Sequence, residues 1–124
     1  MKTIIGTKQD VVKELTALVA DVLARKPEAN IAVSAVDLPA EVLDALAASD
    51  IAFDKAKLFQ ACEYCGAAGK GTHAVGAAFS PLMAAKPFAA VHAPDPDTDA
   101  EHAADYDAAI QAAGGLDRVI LGLG

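Results

Sequence analysis

Three short, largely apolar runs, 31–36, 56–61 and 118–123, alternate along the chain with segments of helical periodicity. A continuous apolar run suits a strand that is covered on both faces. Strands that alternate with helices form a mainly parallel sheet, because the crossovers place helices on its faces. The sequence therefore predicts an α/β fold of three layers, with these three strands central and parallel and with helices on both faces.

The helices and two additional strands are predicted from weaker sequence patterns. Helices are expected over 8–26, directly after Pro39, over 73–86 and over a segment that ends near residue 113. Pro81 lies inside the third of these and is expected to interrupt or kink it. Two additional strands are predicted over 2–5 and 88–93, of which the first would lie at an edge of the sheet.

Size and charge narrow the class of protein. A chain of 124 residues predicts one domain, 1–124. Its net charge of −7 argues against nucleic acid and anionic membrane surfaces as partners. No apolar run approaches the roughly 20 residues of a membrane span, and the N-terminus does not resemble a signal peptide. We therefore expect a cytoplasmic protein, and nothing in the sequence indicates a cofactor.

Three local strings carry a resemblance to a known family. They are CEYCG (62–66) after a strand, IAVSAVDLP (31–39) between a strand and a helix, and the segment 97–124 with its GGLD and LGLG strings. Together with the order of elements, they resemble the N-terminal half of the glucosamine-6-phosphate deaminase family, which shares its fold with 6-phosphogluconolactonase. The resemblance implies a three-layer α/β fold and a sugar-phosphate ligand at the carboxyl edge of the sheet.

The string CEYCG occupies the place of the family's D-E-Y-x-G motif. The first Asp of that motif is the base that transfers protons at the sugar carbon, and Cys62 stands at its position. The resemblance makes Cys62, Glu63 and Tyr64 the candidate catalytic residues. A thiol is protonated at neutral pH unless its surroundings stabilise the thiolate, and no cationic partner is apparent in the sequence.

The loop after the first long strand resembles G-G-T-P in the family, where backbone N–H groups and a hydroxyl hold the phosphate. Here the matching residues are Val36, Asp37, Leu38 and Pro39. Val36 crowds an anion, Leu38 offers no donor, and Asp37 repels phosphate and is better interpreted as a helix N-cap. Ser34, Val36, Asp37 and Leu38 are the candidate substrate-binding residues of this degraded loop.

The two cysteines also form a C-x-x-C pair, Cys62 and Cys65. Inert or structural thiols are the favoured interpretation, and metal binding with His73 and a redox role stay open as alternatives. One such pair supplies at most two ligands, so no metal site is predicted. Tyr64 and Tyr106 are expected to complete core packing.

Two functional hypotheses follow. In the first, the chain is a shortened and catalytically degraded member of the sugar-phosphate family, without measurable deaminase activity and with at most weak affinity for a sugar phosphate. The family's next motif, a Gly-His segment, would come directly after Gly124. In the second, the chain is a non-catalytic assembly or regulatory module, a homo-oligomer joined through the exposed edge of the strand 118–123.

Overall fold

The computed structural model describes residues 3–35, 38–62, 76–95 and 103–122. Within these ranges the chain forms four α-helices and four β-strands, with a 3-10 turn over Gly76–Phe79. The helices are α1 (Lys8–Arg25), α2 (Ala40–Ala48), α3 (Ser80–Ala85) and α4 (Ala103–Ala112), and the strands are β1 (Asn30–Val33), β2 (Lys57–Gln60), β3 (Ala90–His92) and β4 (Arg118–Ile120).

The first helix begins where its sequence supplies a cap. The Thr7 side chain accepts a hydrogen bond from the backbone N–H of Asp10 at 3.2 Å, and the Asp10 carboxylate accepts one from the backbone N–H of Thr7 at 3.0 Å. This reciprocal pair satisfies two donors that would otherwise lack partners at the helix start. Pro27 follows the last turn, and the helix ends at Arg25, close to the predicted boundary.

The four strands form one parallel sheet in the order β3-β2-β1-β4. From β1 the chain moves outward to β2 and then to β3, and it then returns past β1 to β4. Right-handed crossovers therefore place α2 and α3 on one face of the sheet and α4 on the opposite face. This architecture confirms the predicted parallel, three-layer α/β fold.

The main core lies between the sheet and α1–α3. Its principal members are Val19, Val22, Leu23, Ile31, Val33, Leu43, Leu46, Leu58, Phe79, Leu82 and Ile120. On the opposite face Ala32 and Phe59 are buried, and the Phe59 ring stacks on His92 with centroids 4.6 Å apart. Both faces of β1 and β2 are therefore covered, as their apolar sequences predicted.

A polar cluster closes the amino edge of the sheet. The buried side chain of Asn30 donates to the carbonyl oxygens of Ala113 and Gly115, at 2.8 and 2.7 Å. The Asp117 carboxylate accepts from the backbone N–H of Asn30 at 2.7 Å and pairs with the Lys26 ammonium at 3.0 Å. These contacts fix the turn from α4 into β4 against the start of β1.

That turn depends on glycine. Gly114 and Gly115 have φ angles of +97° and +85°, a backbone region that side chains with a Cβ seldom adopt. The two residues end α4 and direct the chain into β4, as the Gly-Gly string predicted.

The structure corrects two predictions about strands. Residues 3–5 of the expected strand 2–5 form no strand, and Ile5 is almost fully exposed. The capping box that starts α1 engages Thr7, two residues after Ile5, so the chain enters a helix there. The strands over 31–36, 56–61 and 118–123 were all expected to be central, but β4 lies at an edge of the four strands described, because only β1 pairs with it among them.

Two helix predictions also need correction. The helix expected over 73–86 is instead a 3-10 turn followed by the short helix α3, with Pro81 in the first turn of α3; residues 73–75 are not described. Proline favours that position because its missing N–H would have no partner there. Asp37 was expected to cap α2, but the N-cap position belongs to Pro39, which makes no side-chain cap hydrogen bond.

Candidate functional site at the carboxyl edge of the sheet

The strand order reverses between β1 and β4, and this reversal locates the candidate site. In open parallel sheets, ligands bind beyond the carboxyl ends of the strands, at the point where the winding changes direction. Ser34 follows β1 at this point, and its backbone N–H donates to the carbonyl of Ile120 at the end of β4, at 2.9 Å. Cys62 follows the neighbouring strand β2 by two residues.

The side chains of Ser34 and Cys62 meet at this edge. The Ser34 Oγ and the Cys62 Sγ lie 3.3 Å apart, within hydrogen-bond distance, and either group can be the donor. Both residues are partly exposed, so the pair lies near the surface. The structure thus joins one candidate substrate-binding residue to one candidate catalytic residue, although they are 28 positions apart in the chain.

A second group of hydrogen bonds joins the carboxyl ends of β2 and β3. The Tyr106 hydroxyl, from the first turns of α4, lies 2.6 Å from the carbonyl oxygen of Gln60 and 3.1 Å from that of His92. Burial raises the pKa of Tyr106 to about 12, so this hydroxyl keeps its proton and remains a donor at neutral pH. The Gln60 side chain is buried and donates through its Nε2 to the carbonyl of Cys62 at 2.8 Å.

The other predicted site residues are distributed differently. Leu38 is partly buried and packs against the main core, and its backbone N–H makes a long, 3.5 Å contact with the carbonyl of Ala35. Val36, Asp37, Glu63 and Tyr64 lie outside the described residues. Their predicted roles stay predictions.

Sequence reasoning missed the contributions of Gln60 and Tyr106 to this edge. A signal for Gln60 was available, because it is a polar residue at the end of an otherwise apolar strand. Tyr106 was expected in the core, and it is half-buried, but its hydroxyl is directed at the strand ends. Only the placement of α4 across the sheet reveals that contact.

Among the described residues, no group of three or more His, Cys, Asp or Glu side chains is arranged to hold a metal ion. One surface cavity of about 480 Å³ lies between α1 and α2, and another of about 460 Å³ lies between α3 and the strands β2 and β3, with Gln60 in its lining. Neither is lined by Ser34 or Cys62. No helix in the described ranges is long and apolar enough to cross a membrane.

Comparisons with known proteins identify the family of this chain. No curated protein matches the chain at a significant level. The family model described as glucosamine-6-phosphate isomerases/6-phosphogluconolactonase matches residues 6–124, which is nearly the whole sequence. The match agrees with the parallel sheet, the winding of its crossovers and the resemblance of the three sequence strings. The chain therefore belongs to the glucosamine-6-phosphate isomerase/6-phosphogluconolactonase family.

Proposed function

We propose that the protein is a cytoplasmic member of this sugar-phosphate family whose carboxyl edge does not catalyse deamination. One observation carries the proposal: at the position of the family's catalytic Asp stands Cys62, and its thiol contacts the neutral hydroxyl of Ser34. Isomerisation of an amino sugar phosphate requires a base that removes a proton from one sugar carbon and returns it to the next. A carboxylate is ionised at neutral pH and can do this, whereas an ordinary thiol is mostly protonated.

The surroundings of the thiol support the same conclusion. Within the described part of the chain, Ser34 is the hydrogen-bond partner of the Cys62 side chain, and no ion pair involves either residue. A thiolate base requires a nearby cation or a helix N-terminus to stabilise its charge. The Ser34 hydroxyl can donate one hydrogen bond to sulfur, but it brings no positive charge.

An assay of ammonia release tests this proposal. Glucosamine 6-phosphate is incubated with the protein and with the variants Cys62→Ser and Cys62→Asp, which keep the size of the side chain similar. We expect no ammonia above the protein-free background from the unaltered protein or from Cys62→Ser. Turnover by the unaltered protein that disappears in Cys62→Ser would contradict the proposal. Activity that arises only in Cys62→Asp would show that the missing carboxylate alone prevents the reaction.

We further propose that sugar phosphates bind only weakly. Leu38 packs against the core and has no side-chain donor, and it stands where the family's phosphate loop has a hydroxyl. Calorimetry with glucosamine 6-phosphate and 6-phosphogluconate measures the affinity. A dissociation constant below about 10 μM, or roughly −7 kcal/mol, would contradict this expectation.

Self-association through β4 is a second candidate role. Among the described strands β4 lies at an edge; Val119 within it is 50% exposed, and Leu121 directly after it is 61% exposed. An uncovered strand edge with apolar neighbours favours pairing with another chain. We propose a homo-oligomer in which this edge is buried, so that the scaffold serves assembly.

Light scattering at tens of micromolar tests the assembly role. Val119→Lys is expected to yield monomers, because it places a charge on the exposed side of β4. Val11→Lys is the matched control, because Val11 is similarly exposed but belongs to α1. A monomeric unaltered protein would exclude this role, and dissociation by both variants would show that the interface is not specific to β4.

A further inference from the structure

The contact of Tyr106 with two strand ends has a consequence for the site. We infer that Tyr106 is a positioning residue, which holds the Cys62 thiol in contact with Ser34 by fixing the carboxyl end of β2. Its hydroxyl is close to the carbonyls of both Gln60 and His92, so one side chain from α4 joins two neighbouring strands. The contact involves the residue two positions before Cys62.

Gln60 carries this restraint to Cys62. Its backbone carbonyl receives the hydrogen bond from Tyr106, and its buried side chain donates to the carbonyl of Cys62. Between the two, the backbone N–H of Ala61 donates to the carbonyl of Val33 at 2.9 Å and continues the pairing with β1. The backbone that carries the thiol is therefore held by α4, through Tyr106, and by β1, through the Val33 carbonyl.

The resulting hydrogen bonds connect all four strands at their carboxyl ends. Tyr106 joins β3 to β2, the Cys62–Ser34 pair joins β2 to β1, and the backbone N–H of Ser34 joins β1 to β4. Simple core packing of Tyr106 would require only its ring. The burial of its hydroxyl against two carbonyl oxygens is the additional observation that indicates a positioning role.

The inference rests on the proposed function only in placing Cys62 at the family's base position. Its test uses the reactivity of the thiol and does not use turnover. A deaminating protein would contradict the proposed function and leave this inference intact. An unchanged labelling rate of the Cys62 thiol in Tyr106→Phe would overturn this inference and leave the proposed function intact.

The experiment measures alkylation of Cys62 by iodoacetamide. It is carried out in the full chain with Cys65→Ser, since the sequence has only two cysteines. Tyr106→Phe removes the hydroxyl and keeps the ring. We expect about a tenfold faster reaction of Cys62 at constant pH, the factor that corresponds to loss of one hydrogen bond of ordinary strength. Asp117→Ala at the opposite edge is the control for lost stability, and its labelling rate under native conditions is expected to stay unchanged.

A double-mutant cycle with Ser34→Ala separates positioning from general loosening. If Tyr106 acts by holding the thiol on Ser34, the effects of Tyr106→Phe and Ser34→Ala on the labelling rate are not multiplicative. The effects of Asp117→Ala and Ser34→Ala are expected to be independent. An unchanged or slower rate in Tyr106→Phe, or an accelerated rate without coupling to Ser34→Ala, would overturn the inference.

A second variant keeps the inference testable if Tyr106→Phe does not fold. Gln60→Met removes the Nε2 donor to the Cys62 carbonyl with little change in side-chain volume. It is expected to accelerate labelling of Cys62 and to show the same coupling to Ser34→Ala. Independent effects of Gln60→Met and Ser34→Ala would contradict the path through Gln60.

Discussion

The two ends of the sheet use polar side chains in different ways. At the amino edge, the amide of Asn30 and the carboxylate of Asp117 bind main-chain groups of the neighbouring segment, and Lys26 adds a charge pair. At the carboxyl edge, Tyr106 and Gln60 also bind main-chain carbonyls, but the Ser34 hydroxyl and the Cys62 thiol bind each other. Polar groups with fixed main-chain partners stabilise a fold, whereas a partly exposed pair of side chains leaves its polar atoms accessible to a ligand.

The stability of the two edges also depends on pH in opposite directions. The backbone N–H of Asn30, followed by Lys26, lowers the pKa of Asp117 below its ordinary value of 3.8. Burial raises the pKa of Tyr106 from 10.0 to about 12. Acid therefore weakens the amino edge and alkali the carboxyl edge, so pH can be used to test each edge separately.

The largest effect is expected for Asn30→Asp at the amino edge. The variant replaces an amide that donates two hydrogen bonds by a carboxylate that faces the carbonyls of Ala113 and Gly115. Because a buried group would lose its partners and gain repulsion, we expect the free energy of unfolding to fall by about 3 kcal/mol. Urea denaturation measures the change. A loss below that of Tyr106→Phe would contradict the structural role assigned to the amino edge.

Asp117→Ala is expected to lower the free energy of unfolding by about 2 kcal/mol at pH 7, as for a charge-assisted hydrogen bond. The folded-state pKa of Asp117 is lowered, so its contribution is present above pH 4 and is lost as the pH falls through the folded value. The unaltered protein should therefore approach the variant in stability in acid. A difference that persists unchanged at pH 2 would show that the lost contacts do not depend on the charge.

Tyr106→Phe is expected to lower the free energy of unfolding by about 1 kcal/mol near pH 7, since one hydrogen-bonding hydroxyl is removed. The folded-state pKa is raised, so the contribution is complete below pH 10 and is lost as the pH rises towards 12. The stability advantage over the variant should shrink across this interval. Urea midpoints between pH 8 and 11 measure it, and a constant difference would argue against burial of the hydroxyl.

The smallest effect is expected for Lys26→Met, which removes the charge and keeps much of the apolar stem. The side chain of Lys26 is about half exposed, so its pair with Asp117 is screened by solvent. We expect a loss of about 0.5 kcal/mol that disappears in high salt. A loss as large as that of Asp117→Ala would make the ion pair, and not the bond to the Asn30 backbone, the main contact of Asp117.

The sequence predicted those features that depend on local pattern. The uninterrupted apolar run around Ile31 indicated a strand covered on both faces, and the Gly114-Gly115 pair indicated the end of α4. For the strand 118–123, the expectation of a central position and the exposed edge of the assembly hypothesis could not be decided in this way, because hydrophobicity does not specify which strands are neighbours. The absence of a strand over residues 3–5 has a similar reason, since isoleucines favour strands but need a partner strand in reach.

The candidate site was predictable only in part. The family resemblance located Cys62 and Ser34, but their contact depends on the parallel register of β1 and β2. The function of the Tyr106 hydroxyl depends on how α4 crosses the sheet between β3 and β4. Both are consequences of tertiary structure, for which the local sequence contains no signal.

The position of β4 beside β1 also affects the order in which the chain folds. The contact between Asn30 and Asp117 joins residues 87 positions apart, whereas β1 and β2 are separated by roughly a third of that distance. Closing the longer loop costs about 1 kcal/mol more in chain entropy. It also requires that the helices between β1 and β4 do not block the approach of β4 to β1. During synthesis the three strands β1, β2 and β3 can pair before Asp117 has left the ribosome. We therefore expect docking of β4 to be the last event of folding, and until then the buried Asn30 amide faces water.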